Sequence, residues 1–320
     1  MNKTAVNWKS VRDSGGVWIA LAVFLAVAMI SNASFRSPQN LVNITRQVSY
    51  SGIIALGMTF VIAAGGIDLA VGSLFALAGV VSLFAMHAAG AAEAVQRLAG
   101  FGAALGVGVA GGALNGVMVG AARIQPFIVT LGTMSIFRSL ALYFADAGLV
   151  STDNALYGRV VSAELTGIPL PTLILLGLTA VLAVMLKLTR FGRYVCAVGS
   201  NERVARYSAI RTGAVKFWTY VLVGGLAGLS AFLLGGRLNS VSSSGAGMLY
   251  ELDAIAAVII GGTAMTGGKA TVPGTLAGVL LLGIVSNVLD MWGVSVNLQG
   301  TVKGLVIIIA VLIQYKRKDA

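Results

Sequence analysis

The 320-residue sequence holds one cysteine, Cys196, and one histidine, His87. A lone cysteine excludes a disulfide framework. One histidine cannot build a histidine metal cluster or an HExxH zinc site, and no G-x-S-x-G elbow accompanies it. Charge is scarce as well: Asp, Glu, Lys and Arg make up 10% of residues against 57% hydrophobic. Soluble domains carry roughly 25% charged residues, so the chain is built for lipid. Phosphate-binding loops are missing too. Residues 106–111 spell G-x-G-x-x-G, but inside an apolar run, after no strand, and with no acid about 20 residues on. Residues 262–270 imitate a P-loop, yet the spacing is one residue too long and Ala270 stands where a hydroxyl would hold Mg²⁺. The chain therefore has no ATP site and no cofactor site of its own, and an embedded enzyme is poorly supported.

What the chain has is apolar length. A transmembrane helix needs about 20 mainly apolar residues, and about ten candidates centre on 17–30, 48–64, 73–86, 98–120, 127–145, 170–188, 213–235, 252–262, 272–289 and 301–314. They leave no room for a soluble domain. Residues 1–320 thus read as one all-α, polytopic membrane domain. The first run follows Lys3, Lys9 and Arg12 but lacks a small-residue cleavage site after Ile30, which makes it an uncleaved first helix.

The net charge of +11 does not point to nucleic acid, because of where the cations fall. Threaded from a cytoplasmic N-terminus, the inner loops collect Lys3, Lys9, Arg12, Arg123, a dense group between 187 and 216, Lys269 and Lys316–318. Outer loops and span ends hold most of the acids: Glu93, Asp146, Asp153, Glu164, Glu251, Asp253 and Asp290. This asymmetry is the positive-inside rule, and it places both termini in the cytoplasm.

Within this frame one carboxylate is conspicuous. Asp68 sits in GGIDLAVG (65–72) between two apolar runs. An acid at membrane depth needs a partner, a wet cavity or a function, and the flanking glycines allow an interrupted helix, which lipid tolerates only inside protein or along a water-filled path. The run 98–120 carries Gly100, Ala104, Gly108, Gly112, Gly116 and Gly120, a small-residue stripe along which another helix can approach closely. Gly65-Gly66 followed by Gly72-Ser73-Leu74 is faintly echoed by Gly261-Gly262 followed by Gly274-Thr275-Leu276, as in transporters built from repeats. The longest inner loop, 187–216, is basic and broken by Gly192 and Gly199; Ser200 or Asn201 can cap a short helix there, with Glu202 and Arg206 paired four residues apart.

Read together, GMTFVIAAGGIDLAVGSLFAL (57–77), PFIVTLGTM (126–134), TRFGRYVCAVGSNERVARYSAI (189–210), ELDAIAAVIIGGTAMTGGKATVPGTLAGVLLLGIVSN (251–287) and VKGLVIIIAVL (302–312) resemble the ribose/xylose/arabinose-type permeases of bacterial ATP-binding-cassette (ABC) importers. The segments stand in family order over most of the chain; Gln125, Ser139 and Asp290 replace the usual proline, glycine and asparagine. The resemblance implies a multi-pass subunit of the bacterial inner membrane, paired with a second, identical or paralogous permease. It also implies a cytoplasmic ABC ATPase, which would bind the ATP, and a periplasmic sugar-binding protein. The 187–216 loop would then hold a coupling helix, with Asn201, Glu202, Arg203 and Arg206 at the ATPase surface. A monosaccharide, a ribose-like pentose or a hexose, would pass along polar groups for which Asp68, Asn115, Thr130 and Asn287 are the candidates. Two of these have simpler readings: Asp68 as the cap of a helix beginning at Leu69, Asn115 as a helix–helix hydrogen bond. An ion-coupled secondary transporter also fits a buried acid at a broken helix, but the sequence offers it only Asp68 and Arg138. ABC permeases for branched-chain amino acids or nucleosides are the nearer alternatives.

Overall fold

A computed structural model describes residues 8–31, 33–90, 92–295, 298–302, 304, 305 and 308. The elements in order are α1 (Trp8–Ser31), a 3-10 turn, α2 (Pro38–Ala63), α3 (Val71–Ala88), α4 (Glu93–Gly120), α5 (Pro126–Phe144), β1 (Leu149–Ser151), α6 (Ala155–Val161), β2 (Glu164–Leu165), β3 (Ile168–Pro169), α7 (Leu170–Leu188), α8 (Arg190–Ser200), α9 (Glu202–Tyr207), α10 (Thr212–Leu238), β4 (Ser240–Ser242), α11 (Tyr250–Ile260) and α12 (Val272–Met291). The all-α expectation holds: among the described residues the strands form just the short antiparallel pairs β1–β4 and β2–β3. Among the described residues, seven helices (α2, α3, α4, α5, α7, α10 and α12) are long and apolar enough to cross a membrane, and α1 carries a shorter apolar stretch, Gly16–Ile30. The run at 252–262 gives α11, 11 residues long, or about 16 Å against a hydrocarbon core of about 30 Å. It is a half-length helix. Most of the run at 301–314, with Lys3, Lys316, Arg317 and Lys318, lies outside the described residues.

Helix α2 is the axis. Ser37 starts it by accepting a hydrogen bond from the Asn40 N–H at 3.2 Å, with Pro38 in the first turn. From Val48 onward it is almost wholly buried, against α7, α10, α11 and α12. Unlike a surface helix with one apolar stripe, it is surrounded, which is why its sequence is apolar on every side.

The small-residue stripe packs α4 against α10 in backbone contact. A methyl group on Gly108 would lie 2.3 Å from the Gly224 carbonyl oxygen, and one on Gly224 would lie 2.3 Å from that of Gly108. Gly112 meets Tyr220, Gly116 meets Phe217, and Gly120 meets Gly213 in the same way. The two helices are antiparallel, and Gly120 and Gly213 mark the end of the bundle that carries the basic 187–216 stretch. The opposite end is called the far end below.

The internal echo is present as a shared helix terminus, shifted by one residue from the sequence alignment. After α2 the Gly65 N–H bonds to Ile62 and the Gly66 N–H to Val61; after α11 the Gly262 N–H bonds to Ile259 and the Thr263 N–H to Val258. Gly65 and Gly262 have φ of 79° and 92°, the left-handed conformation this cap requires. Gly65 therefore corresponds to Gly262, and not to Gly261. Close by, Thr59 of α2 and Thr275 in the first turn of α12 share a buried hydroxyl contact of 2.8 Å.

Candidate functional site

The break between α2 and α3 holds Asp68 fully buried. Its Oδ1 accepts the Ala70 N–H at 2.9 Å in an Asx turn. Helix α3 begins at Val71, two residues later than expected from sequence, with Ala70 and not Asp68 as its N-cap residue. Asp68 therefore shapes the turn before the helix and does not cap it. Asn115 on α4 brings Nδ2 to 3.5 Å from both carboxylate oxygens, a long contact compared with the usual 2.7–3.2 Å. The Tyr220 hydroxyl donates to the Ile67 carbonyl at 3.0 Å, fixing the segment to α10. Asn115 lies five residues from the basic end of α4, about 8 Å along the helix. The carboxylate thus sits nearer the basic end than the middle of the bundle.

The four pathway candidates do not form one cluster. Asp68 and Asn115 come together. Thr130, on α5, is buried with its hydroxyl unpartnered, as is the Asn115 Oδ1. Asn287 stands elsewhere, in a reciprocal amide pair with Asn40 at 2.9 and 3.0 Å that ties α12 to α2.

The 187–216 stretch contains two short helices where sequence suggested one. Thr189 caps α8 through the Gly192 N–H, and Asn201 caps α9 through the Val204 N–H at 3.1 Å. Cys196 is half-buried on α8, where burial pushes its thiol pKa up. Glu202 pairs with Arg206 at 3.1 Å, as its spacing suggests, and also with Lys216 at 2.6 Å. Partial burial acts to raise the Glu202 carboxyl, but Lys216, Thr212 and Arg206 outweigh it and hold the group below the usual range. Arg203 is exposed, and its neighbours Val204 and Tyr207 are 58% and 91% exposed, an apolar surface turned outward from the bundle. Beside them a groove of about 690 Å³ runs between α9 and the α4–α5 turn, lined by Arg123, Gln125, Asn201, Glu202, Arg203 and Arg206.

This stretch is seated directly on the two broken helices. A methyl on Gly199 would fall 1.9 Å from the Ala63 carbonyl oxygen and 2.7 Å from the Gly268 nitrogen. That nitrogen in turn donates to the Ala63 carbonyl at 3.0 Å. Gly199 of α8 thus abuts the end of α2 at Ala63, five residues before Asp68.

A second non-helical segment, 239–249, was not visible in the sequence. β4 packs Val241 on Gly79, in the middle of α3, and Gly247 (φ 70°) reaches Gly72 in its first turn. Irregular backbone at this depth must have its polar groups satisfied by protein. Arg138 of α5 does so: its Nη1 lies 2.8, 3.3 and 3.0 Å from the carbonyl oxygens of Ser243, Ser244 and Ala246. The segment delivers Glu251 and Asp253, half-buried, to the first turn of α11, at a helix end. An arginine within an apolar run was the signal that something polar had to face it. Among the described residues no group of three or more His, Cys, Asp or Glu side chains is placed to hold a metal ion.

Residues 40–311 match the family described as branched-chain amino acid transport system / permease component. The chain is similar to the ribose import permease protein RbsC of Escherichia coli (strain K12), 41% identical over 94% of this chain and 93% of that one. It is also similar to the D-allose transport system permease protein AlsC of the same strain, 33% identical over 97% of this chain and 94% of that one. The L-arabinose transport system permease protein AraH, again of that strain, is 30% identical over 99% and 95%.

Proposed function

The chain belongs to the branched-chain amino acid transport system / permease component family, and on that premise we propose that it is the membrane subunit of an ATP-driven importer that carries a monosaccharide. The observation that carries the reading is the near full-length identity to permeases named for ribose, allose and arabinose. It favours a sugar over the amino acids of the family description. The seven long apolar helices among the described residues agree with a multi-pass membrane protein; the bacterial relatives support an inner-membrane location, in which the basic end would face the cytoplasm.

The energy would come from a separate cytoplasmic ATPase. The α8–α9 stretch offers that partner Arg203, Val204 and Tyr207 on one side and the groove with Arg206 on the other. Asn201 and Glu202 have a positioning role, as cap and as ion-pair centre. Closure of the ATPase would displace α8 and α9, and the backbone contact at Gly199 would pass the motion to the α2 and α11 termini. A push that opens the bundle requires different contacts in the two states, and the glycine-lined junction is the place where they differ. Asp68 and Asn115 stand just beyond that junction and would hold the α2–α3 break in register while sugar passes. A periplasmic sugar-binding protein and a second permease subunit complete the unit.

Co-expression with a cognate ATPase and binding protein tests this. Wild type should show ATP hydrolysis stimulated by sugar-loaded binding protein, and a double replacement of Glu202 and Arg206 by bulky apolar residues should abolish the stimulation. Stimulation left intact in the double variant would remove α9 from the coupling path.

A further inference from the structure

A cleft of about 590 Å³ opens between α2, α11 and α12, and its polar lining consists of Gln47, Ser51, Tyr250, Asp253, Ser286 and Gln299. Two close backbone crossings shape it. A methyl on Gly278 would lie 2.2 Å from the Ala257 carbonyl oxygen, and one on Gly274 would lie 2.0 Å from that of Gly261. Ala257 and Val279 therefore form the floor. From there α11 leads back through Asp253 to Tyr250, and α12 leads on through Leu282 to Ser286, so the two diverge toward the far end. Gln47 and Ser51, one turn apart on α2, close the back. The Asn40–Asn287 pair braces α2 to α12 beyond the cleft on the far side. The result is a wedge shut toward the basic end.

Its chemistry is selective. One carboxylate, the Gln47 carboxamide and two serine hydroxyls can accept from and donate to a ring of hydroxyl groups, while the Gln299 Nε2 is held by Asp290 at 2.6 Å. The Tyr250 ring with Val48 and Leu249 supplies apolar surface for the C–H face of such a ring. No Lys or Arg is among the lining residues, so a phosphate or the carboxylate of an amino acid would lack a counter-charge there. The volume lies within the roughly 300–1,000 Å³ of small-ligand sites.

We propose that this wedge is a sugar site within the permease, receiving a neutral monosaccharide from the far side before the Gly278–Ala257 crossing parts to release it inward. The proposal rests on the monosaccharide-importer reading above and adds the place and the groups that hold the cargo. It assigns the binding to Gln47, Ser51, Asp253 and Ser286, a set separate from Asp68 and Asn115.

The test uses the whole transporter in vesicles, with labelled ribose, allose and arabinose offered in turn with binding protein. Asp253→Asn should lower uptake about tenfold through weaker hydrogen bonding, and Ser51→Phe should block it, in transporter that still co-purifies with its ATPase. In a Cys196→Ser background, Ser286→Cys should react with a maleimide from the far side and be protected by sugar-loaded binding protein but not by the empty one. The labelling experiment stands even where Ser51→Phe fails to fold. Wild-type rates in Asp253→Asn and Ser51→Phe, or no protection of Ser286→Cys in a transporter that takes up sugar, would overturn the wedge as a sugar site. A wild type that takes up none of the three sugars would overturn the importer reading, and the proposal with it.

Discussion

Replacing Gly199 by alanine separates two opposite expectations for one methyl group. Gly199 lies on α8 with no positive φ, so backbone conformation alone favours alanine, by about 1 kcal/mol in a helix. Packing says the reverse. The new Cβ would stand 1.9 Å from the Ala63 carbonyl oxygen and 2.7 Å from the Gly268 nitrogen, both rigid backbone atoms that cannot swing aside. To clear them α8 must retreat by more than an ångström, or the 3.0 Å hydrogen bond from Gly268 to Ala63 must break. Overpacking costs about 1–3 kcal/mol, and a buried carbonyl left without its donor costs about 1–3 kcal/mol more. Set against the helix gain, the net loss is about 1–5 kcal/mol. Thermal unfolding of the purified chain in detergent, followed by tryptophan fluorescence, should show a lower midpoint. Sugar-stimulated ATP hydrolysis in the assembled transporter should fall with it. A raised midpoint with full stimulation would mean that α8 is not seated on the α2 terminus.

Three further outcomes follow from the geometry. Asp68→Ala, which leaves the buried Ala70 N–H without its acceptor, should cost about 1–3 kcal/mol, and Asp68→Asn, which keeps an acceptor, clearly less; equal unfolding midpoints for the two would refute the role of this hydrogen bond. Arg138→Ala leaves the carbonyls of Ser243, Ser244 and Ala246 without their donor, at about 1–3 kcal/mol for each that water does not reach, so limited proteolysis should cut the 239–249 segment faster than in wild type. Arg138→Lys should lie between the two, and unchanged cleavage in both would sink the assignment. The pKa of Glu202 is depressed in the fold, so its contribution is present above the unfolded value of about 4.3 and is lost as pH falls through the lower folded value. Amide exchange across 202–207, corrected for intrinsic rates, should therefore quicken in that acid window in wild type and lose this dependence in Glu202→Gln.

The parts of the structure that were legible in the sequence are those set by local spacing. Small residues at every fourth position between Gly100 and Gly120 announced a helix partner at backbone distance, and α10 supplies it through Gly213, Gly224 and Gly228. Asn201 before Glu202 and Arg206 announced a capped, paired turn, and α9 has both. The rest depended on distant segments meeting. SVSSSGAG (240–247) has neither helical nor strand periodicity, so its descent to Gly72 and the arginine that satisfies it could not be read locally. The wedge draws its side chains from α2, α11 and α12, each of which reads alone as an ordinary apolar helix. Asn287 looked like a pathway group because it is polar within an apolar run; Asn40, 247 residues away, is its partner.

The central claim is that ATP and a binding protein, and no ion gradient, drive a sugar through this chain. The most direct measurement is uptake of labelled ribose into vesicles carrying the chain with its ATPase, binding protein outside, ATP trapped inside or omitted, with and without an ionophore. Uptake should require both ATP and binding protein and survive the ionophore. Uptake by the chain alone that the ionophore abolishes would contradict the account and make the protein an ion-coupled transporter.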